Sequence, residues 1–228
     1  MTAPALPVLL SWSGGKDAAW ALHVLRQRPD IEVVGLVTTI TSGVERISMQ
    51  GIRVEILHAQ AQAAGLPVIE ARIPQSADNA RYVAAFADAL ATARGRWPML
   101  RTVAFGDLFL DDIRAWREAQ CAALDWDALF PLFGRDTATL AREMQVEGLC
   151  AALCCVDTTQ LDARFAGRVF DAALLDALPP QIDPCGEHGE FHTCVYDGPM
   201  FAAPLHLAQG ETVLRDARFA YTDFRLRV

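Results

Sequence analysis

Five short apolar runs, separated by helix-length amphipathic stretches, fill the first 133 residues, and that alternation leaves few folds open. Residues 8–10, 33–38, 68–71, 102–106 and 129–132 read as strands, being short and either β-branched or uniformly apolar. Residues 17–28, 52–64, 79–94 and 111–124 carry apolar side chains at helical spacing, and Pro29, Gly65 and Gly95 close the first three. Strands that alternate with helices are joined by crossovers, which predicts a five-stranded parallel sheet covered on both faces, a three-layer α/β domain. Ligands bind such sheets beyond the carboxyl ends of the strands. Ser11 and the loop after it, the segment 38–42 beginning at Thr38, and Gly106-Asp107 all fall at that edge. After Leu132 the pattern changes to a helix at 138–146, an apolar strand at 149–156, a proline-rich loop, and short strands running to Val228. The expected organisation is a domain at 1–133 and a small α+β domain at 134–228.

Nineteen of the twenty basic side chains are arginine, and the lone lysine, Lys16, sits in Ser13-Gly14-Gly15-Lys16-Asp17, between the first strand and the first helix. Glycines let backbone N–H groups approach phosphate, a helix N-terminus favours negative charge, and Lys16 adds a flexible point charge. The alternative is a turn in which a solvated lysine falls by chance. The commoner phosphate loop requires a glycine five residues before the Gly-Lys pair and a Ser or Thr after it; Leu10 and Asp17 stand there instead. The segment resembles the Ser-Gly-Gly-x-Asp-Ser signature of the PP-loop ATP pyrophosphatases, which cleave ATP between the α and β phosphates. Ala18 replaces the usual second serine, so one hydroxyl is missing.

Bulk composition excludes several classes. With 52% hydrophobic and 21% charged residues the chain is ordinary globular protein. Residues 1–133 hold twelve basic and fourteen acidic side chains, and residues 134–228 hold eight and fourteen. The acidic second half argues against a nucleic-acid module, because polyanion binding is driven by phosphate neutralisation. The N-terminus has no basic leader region and no stretch reaches membrane-spanning length, so neither a signal peptide nor a membrane span is expected. Six sparse cysteines read as reduced thiols of a cytoplasmic protein. Cys154 and Cys155 read as core.

A second dense segment runs Cys185-Gly186-Glu187-His188-Gly189-Glu190-Phe191-His192-Thr193. Three readings stand: a zinc site using Cys185, His188, His192 and Cys194, a structural turn, or a polar loop facing substrate. The zinc spacing matches no standard finger, and the density of ionisable groups favours the substrate loop. Together with Ser-Gly-Gly-Lys-Asp and Gly134-Arg135-Asp136, this Gly-Glu-x-Gly-Glu-Phe-x-Thr order resembles the diphthine–ammonia ligase family across nearly the whole chain. Phe105-Gly106-Asp107-Leu108 and the residues up to Arg114 look like its bacterial branch, often labelled adenine nucleotide alpha hydrolase. Gln50 falls where relatives often carry a histidine.

The resemblance implies a nucleotide-binding domain of the HUP or PP-loop type and a small domain presenting the late motif. It implies ATP, magnesium and an AMP-forming reaction: a carboxylate attacks the α-phosphate, and ammonia converts the acyl-adenylate to an amide. Ser11, Ser13, Gly14, Gly15, Lys16, Asp17, Thr38, Gly106 and Asp107 are the expected nucleotide contacts. Asp17 is either a magnesium ligand or a first-turn carboxylate on the helix dipole. Arg135 is either a clamp on phosphate or carboxylate, or a surface ion pair. Asp136 is either a substrate contact or an N-cap. Gly186, Glu187, Gly189, Glu190 and Thr193 are expected on the substrate side, with the two glutamates orienting ammonium or a cationic substrate. Lys16→Ala is expected to abolish AMP formation with the fold intact. No fused glutaminase fits the length, so ammonia is free or comes from a partner. The arginine and alanine bias points to a GC-rich bacterial genome, where the family's protein substrate, elongation factor 2, is absent; a small-molecule carboxylate is expected instead. Oligomeric state is left open between monomer and homodimer. The rivals are a tRNA-thiolating PP-loop enzyme and a non-catalytic nucleotide sensor.

Overall fold

The computed structural model describes residues 4–227; residues 1–3, where the leader region was sought, and Val228 lie outside them. Strand β1 (Leu6–Ser11) runs through the middle of the first sheet, buried on both faces. Val8 and Leu10 enter a core shared with helices α1 (Lys16–Arg26) and α2 (Val54–Ala64), whereas Leu9 enters another with α3 (Asn79–Arg96) and Cys121 of α4 (Asp111–Ala123). This double burial explains an uninterrupted Val-Leu-Leu rather than an alternating pattern. Parallel neighbours follow in the order β4 (Val68–Ile73), β2 (Ile31–Thr41), β1, β5 (Thr102–Ala104) and β6 (Asp127–Leu129). These are the five expected parallel strands; the two-residue β3 (Arg46–Ile47) folds back antiparallel on β2 as a sixth.

Several boundaries differ from expectation: α3 runs through Gly95 to Arg96, β5 stops at Ala104, and two further differences bear on the sheet edge. β2 continues past Thr38 to Thr41 because β4 pairs with it from Leu36 to Thr41. Thr38 is therefore inside the sheet, with its hydroxyl donating to the Trp12 carbonyl at 2.9 Å. β6 starts at Asp127 rather than Leu129, its first amide reaching the Arg101 carbonyl at 2.7 Å. Pro131 lacks an N–H and the chain turns at Phe130 instead of extending.

Beyond α5 (Thr137–Val146) an antiparallel sheet forms from β7 (Cys150–Asp157), β8 (Phe191–Asp197), β9 (Leu207–Arg215) and β10 (Phe219–Leu226), in the order β8-β7-β10-β9. Cys154 and Cys155 are buried in β7. Helix α1 lies between the two sheets, which is why Ala18, Ala19, Trp20, Ala21, Leu22 and Leu25 are all buried. A helix that is apolar nearly all round is a core helix, and its alanines let both sheets approach. Leu153, Val156, Phe191 and Val195 of the second sheet join the same core as Val8 and Leu10. The end of β1, the N-terminus of α1 and the start of β8 thus converge. Among the described residues no helix is long and apolar enough to cross a membrane.

Candidate active site

At that convergence a cavity of about 750 Å³, open mouth included, is walled by three segments. Ser11, Ser13, Gly15, Lys16 and Asp17 form one side, Phe105, Gly106 and Asp107 a second, and Gly186, Glu187, Gly189, His192 and Thr193 the third. Gln50 and Arg117 also line it. Gly14 adopts φ +76°, and a Cβ there would strike Ile52 and Gln60, so it is packed behind the loop rather than facing the cavity. A Cβ on Gly106 would lie 2.9 Å from the Asp17 carbonyl, so only glycine lets the end of β5 approach α1 this closely. Gly15, the N-cap of α1, offers no capping side chain. Thr193 Oγ1 accepts the Lys16 amide at 3.0 Å, while Asp17 and Ala18 of the first turn face the cavity. The positive end of the helix is directed at open space, an anion-accepting arrangement.

Lys16 is not the free point charge that its place in the loop suggests. Its side chain is 2% exposed, and Nζ donates to both Asp17 oxygens, at 2.9 and 3.0 Å, and to the Cys185 carbonyl. The Phe170 and Phe191 rings lie 5.8 and 5.5 Å from it. At the first helical position the Cα–Cβ bond leans back toward the N-terminus, and the Cys185 carbonyl meets the ammonium there. Burial works against the charge, but Asp17, Cys185 and Glu187 together offset it, so the pKa is raised. Lys16→Met is therefore expected to lower stability as well as activity, in contrast to a loss of activity alone. Removing one partner of a buried pair costs roughly 3–5 kcal/mol. Asp17 is 29% exposed, and solvent screening reduces this to about 2 kcal/mol. Chemical denaturation measures it; a midpoint equal to wild type would show that the contacts carry no energy.

Glu187 is the carboxylate of the third wall. It accepts the Leu108 amide at 2.8 Å and, more loosely, the Phe109 amide at 3.4 Å. Burial pushes its pKa to about 7, with the Leu108 hydrogen bond opposing. His192 is held neutral, its pKa lowered to about 4 by burial and by the nearby Lys16 charge. Glu190 lies behind the loop, 1% exposed, with Oε1 accepting the Asp183 amide at 3.0 Å. Asp183 in turn accepts the amides of Cys185 and Glu187 and the Thr137 hydroxyl. Glu190 and Asp183 thus shape the loop that Glu187 projects from.

Five expected contacts do not line the cavity: Gly14, Thr38, Arg135, Asp136 and Glu190. Arg135 is bidentate on Glu143, which also accepts from Trp20 Nε1 at 3.3 Å; this carboxylate of α5 captures the guanidinium. Asp136 caps α5, accepting the Thr139 amide at 2.8 Å. Sequence reasoning passed over Gln60 and Arg117, and weighed His192 only as a zinc ligand. Gln60 is fully buried: its amide donates to the Gly14 and Val195 carbonyls at 3.0 and 2.7 Å, and its oxygen accepts from Trp12 at 3.0 Å. A glutamine amid apolar helical spacing was its one legible signal. Among the described residues no group of three His, Cys, Asp or Glu is arranged to hold a metal.

This three-walled arrangement coincides with a family pattern at both ends of the chain. The diphthamide synthase N-terminal domain matches residues 7–126, and the diphthamide synthase C-terminal domain matches residues 136–223. The chain belongs to the diphthamide synthase family. Over 121 residues, 51% of its length, it is 31% identical to the diphthine--ammonia ligase of Schizosaccharomyces pombe (strain 972). That stretch is 20% of the S. pombe protein, so the chain spans about a fifth of the curated relative it matches. Within the diphthamide synthase match, the first two walls of the cavity fall in the N-terminal region and Glu187, His192 and Thr193 in the C-terminal one.

Proposed function

We propose that this protein is an ATP-dependent ligase that joins ammonia to a carboxylate, forming AMP and pyrophosphate through an acyl-adenylate. The carrying observation is that the N-terminus of α1, whose Asp17 and Ala18 amides are left free of a side-chain cap, and the Glu187 loop line one cavity. The first suits phosphate, and the second supplies a carboxylate whose pKa of about 7 suits proton transfer near neutrality. The division of labour follows two domains, 1–133 for nucleotide and 134–228 for the acceptor side. The diphthine--ammonia ligase similarity supports ATP and ammonia as substrates.

In this reading the acceptor carboxylate attacks the α-phosphorus and pyrophosphate leaves. Glu187 takes a proton from ammonium, ammonia attacks the acyl carbon, the acyl–oxygen bond breaks to release AMP, and the new amide nitrogen gives its extra proton to solvent. Gly15, Asp17 and Ala18 cradle phosphate oxygens at the helix terminus. Asp17 and Asp107 are the wall carboxylates that would hold magnesium, their hard oxygens suiting that cation. The ion would supply charge neutralisation on the phosphates. The acceptor is a small carboxylic acid, and the compartment is the cytoplasm, which keeps thiols such as the six free cysteines reduced. Thiolation chemistry needs a thiolate, whereas burial raises the pKa of Cys121 to about 11, that of Cys194 to about 12, and that of Cys185 as well.

The test is to supply magnesium-ATP, ammonium and a fractionated metabolite extract and to identify the nucleotide products. AMP and pyrophosphate are expected. Without ammonium, acceptor-dependent exchange of labelled pyrophosphate into ATP should persist, marking the acyl-adenylate. ADP and phosphate as products would overturn the proposal.

A further inference from the structure

The cavity holds carboxylates from Asp17, Asp107 and Glu187, yet its positive charge is poorly accounted for by the loop lysine. Lys16 is buried and saturated by three acceptors, Arg135 lies outside on Glu143, and His192 is neutral. Arg117 is the remaining cationic side chain in the wall. It reaches in from α4, where Nε lies 2.6 Å from Asp107 Oδ2 and Nη2 3.2 Å from Oδ1. Its guanidinium stacks on Phe105, 4.4 Å from the ring centre. Phe105 and Asp107 flank Gly106, the residue pressed against the first turn of α1. Arg117 is therefore aimed at the space beside the helix terminus by an aromatic face and a carboxylate. Among the described residues, Nη1 has no hydrogen-bond acceptor.

We propose that Arg117 is the arm that binds the anionic phosphates of the nucleotide, with Asp107 and Phe105 acting as positioning residues. The assignment rests on the nucleotide reading above and adds to it a residue outside both signature motifs. A planar guanidinium can keep Asp107 on one edge and grip phosphate oxygens with another, which a lysine cannot do. The supporting helix leaves the arm room to move. Of the thirteen residues of α4, only Cys121 is fully buried, so Arg117 stands on a lightly anchored element able to adjust to its ligand.

The deciding experiment is calorimetric binding of α,β-methylene-ATP with magnesium, and of adenosine, to wild type and to Arg117→Met. The expected result is a loss of roughly tenfold or more in affinity for the triphosphate, with adenosine unaffected. Arg117→Lys should recover part of the loss. Where Arg117→Met fails to fold, Arg117→Gln, which keeps a hydrogen-bond donor for the intact Asp107, carries the same comparison. Unchanged triphosphate affinity, or equal losses for triphosphate and adenosine, overturns the assignment while leaving the nucleotide reading in place. Failure of the wild-type protein to bind the triphosphate overturns both.

Discussion

Turnover of the Glu187→Gln variant is expected to fall by about 10²–10⁴-fold, the usual contribution of a positioned proton acceptor. ATP affinity should stay within about twofold, because the substitution keeps an oxygen for the Leu108 amide and lies off the α1 terminus. The pH profile gives the sign. With a pKa of about 7, the wild-type carboxylate loses its basic form below neutrality, so the rate should fall about tenfold per pH unit there. That limb should vanish in the variant. Stability moves the other way. The folded pKa is raised above the ordinary value of 4.5, so the charged carboxylate disfavours the native state as pH climbs from 4.5 to about 7, and fully so above it. Glu187→Gln should therefore be more stable than wild type at pH 8. Normal turnover would remove Glu187 from the chemistry, and lower stability at pH 8 would contradict its raised pKa.

Gln60→Leu should lose roughly 3 kcal/mol of stability, a large share of a typical folding free energy. Leucine fills the volume but leaves the Trp12 indole N–H and the Val195 carbonyl buried without partners, each worth about 1–3 kcal/mol. The Gly14 carbonyl keeps its bond from the Val195 amide at 3.0 Å, which limits the damage. Because Gly14 belongs to the loop, nucleotide affinity should fall with stability. Urea denaturation at fixed pH reads the first effect, and a loss below about 1 kcal/mol would show that water replaces the amide at no cost.

The elements were legible where local chemistry decides them. The Val-Leu-Leu run, the glycine-rich turn and the alanine-rich first helix place β1 and α1 from sequence alone, and the motif segments name residues of all three walls. Less legible were the directions taken by long side chains. Lys16 and Arg135 both carry motif-like spacing, but acceptors brought near by folding, the Cys185 carbonyl and Glu143, decide where their charges rest. Thr38 was misplaced at the sheet edge because the partner that extends β2, namely β4, is not written in β2 itself. Arg117 was overlooked because a guanidinium on an exposed helix resembles ordinary solvation until Phe105 and Asp107 are seen beside it.

The bonds joining Gly14 and Lys16 to Val195 and Thr193 also govern the order in which the protein can be finished. The Lys16 amide and its Thr193 partner are separated by 177 positions. A ribosome delivering residues one after another exposes the glycine turn early and its clasp late. Contacts so distant along the chain are the slow ones to close. The glycine turn is thus among the first segments synthesised and among the last completed, and an unfinished chain carries the Ser-Gly-Gly-Lys-Asp signature without the strand that clasps it.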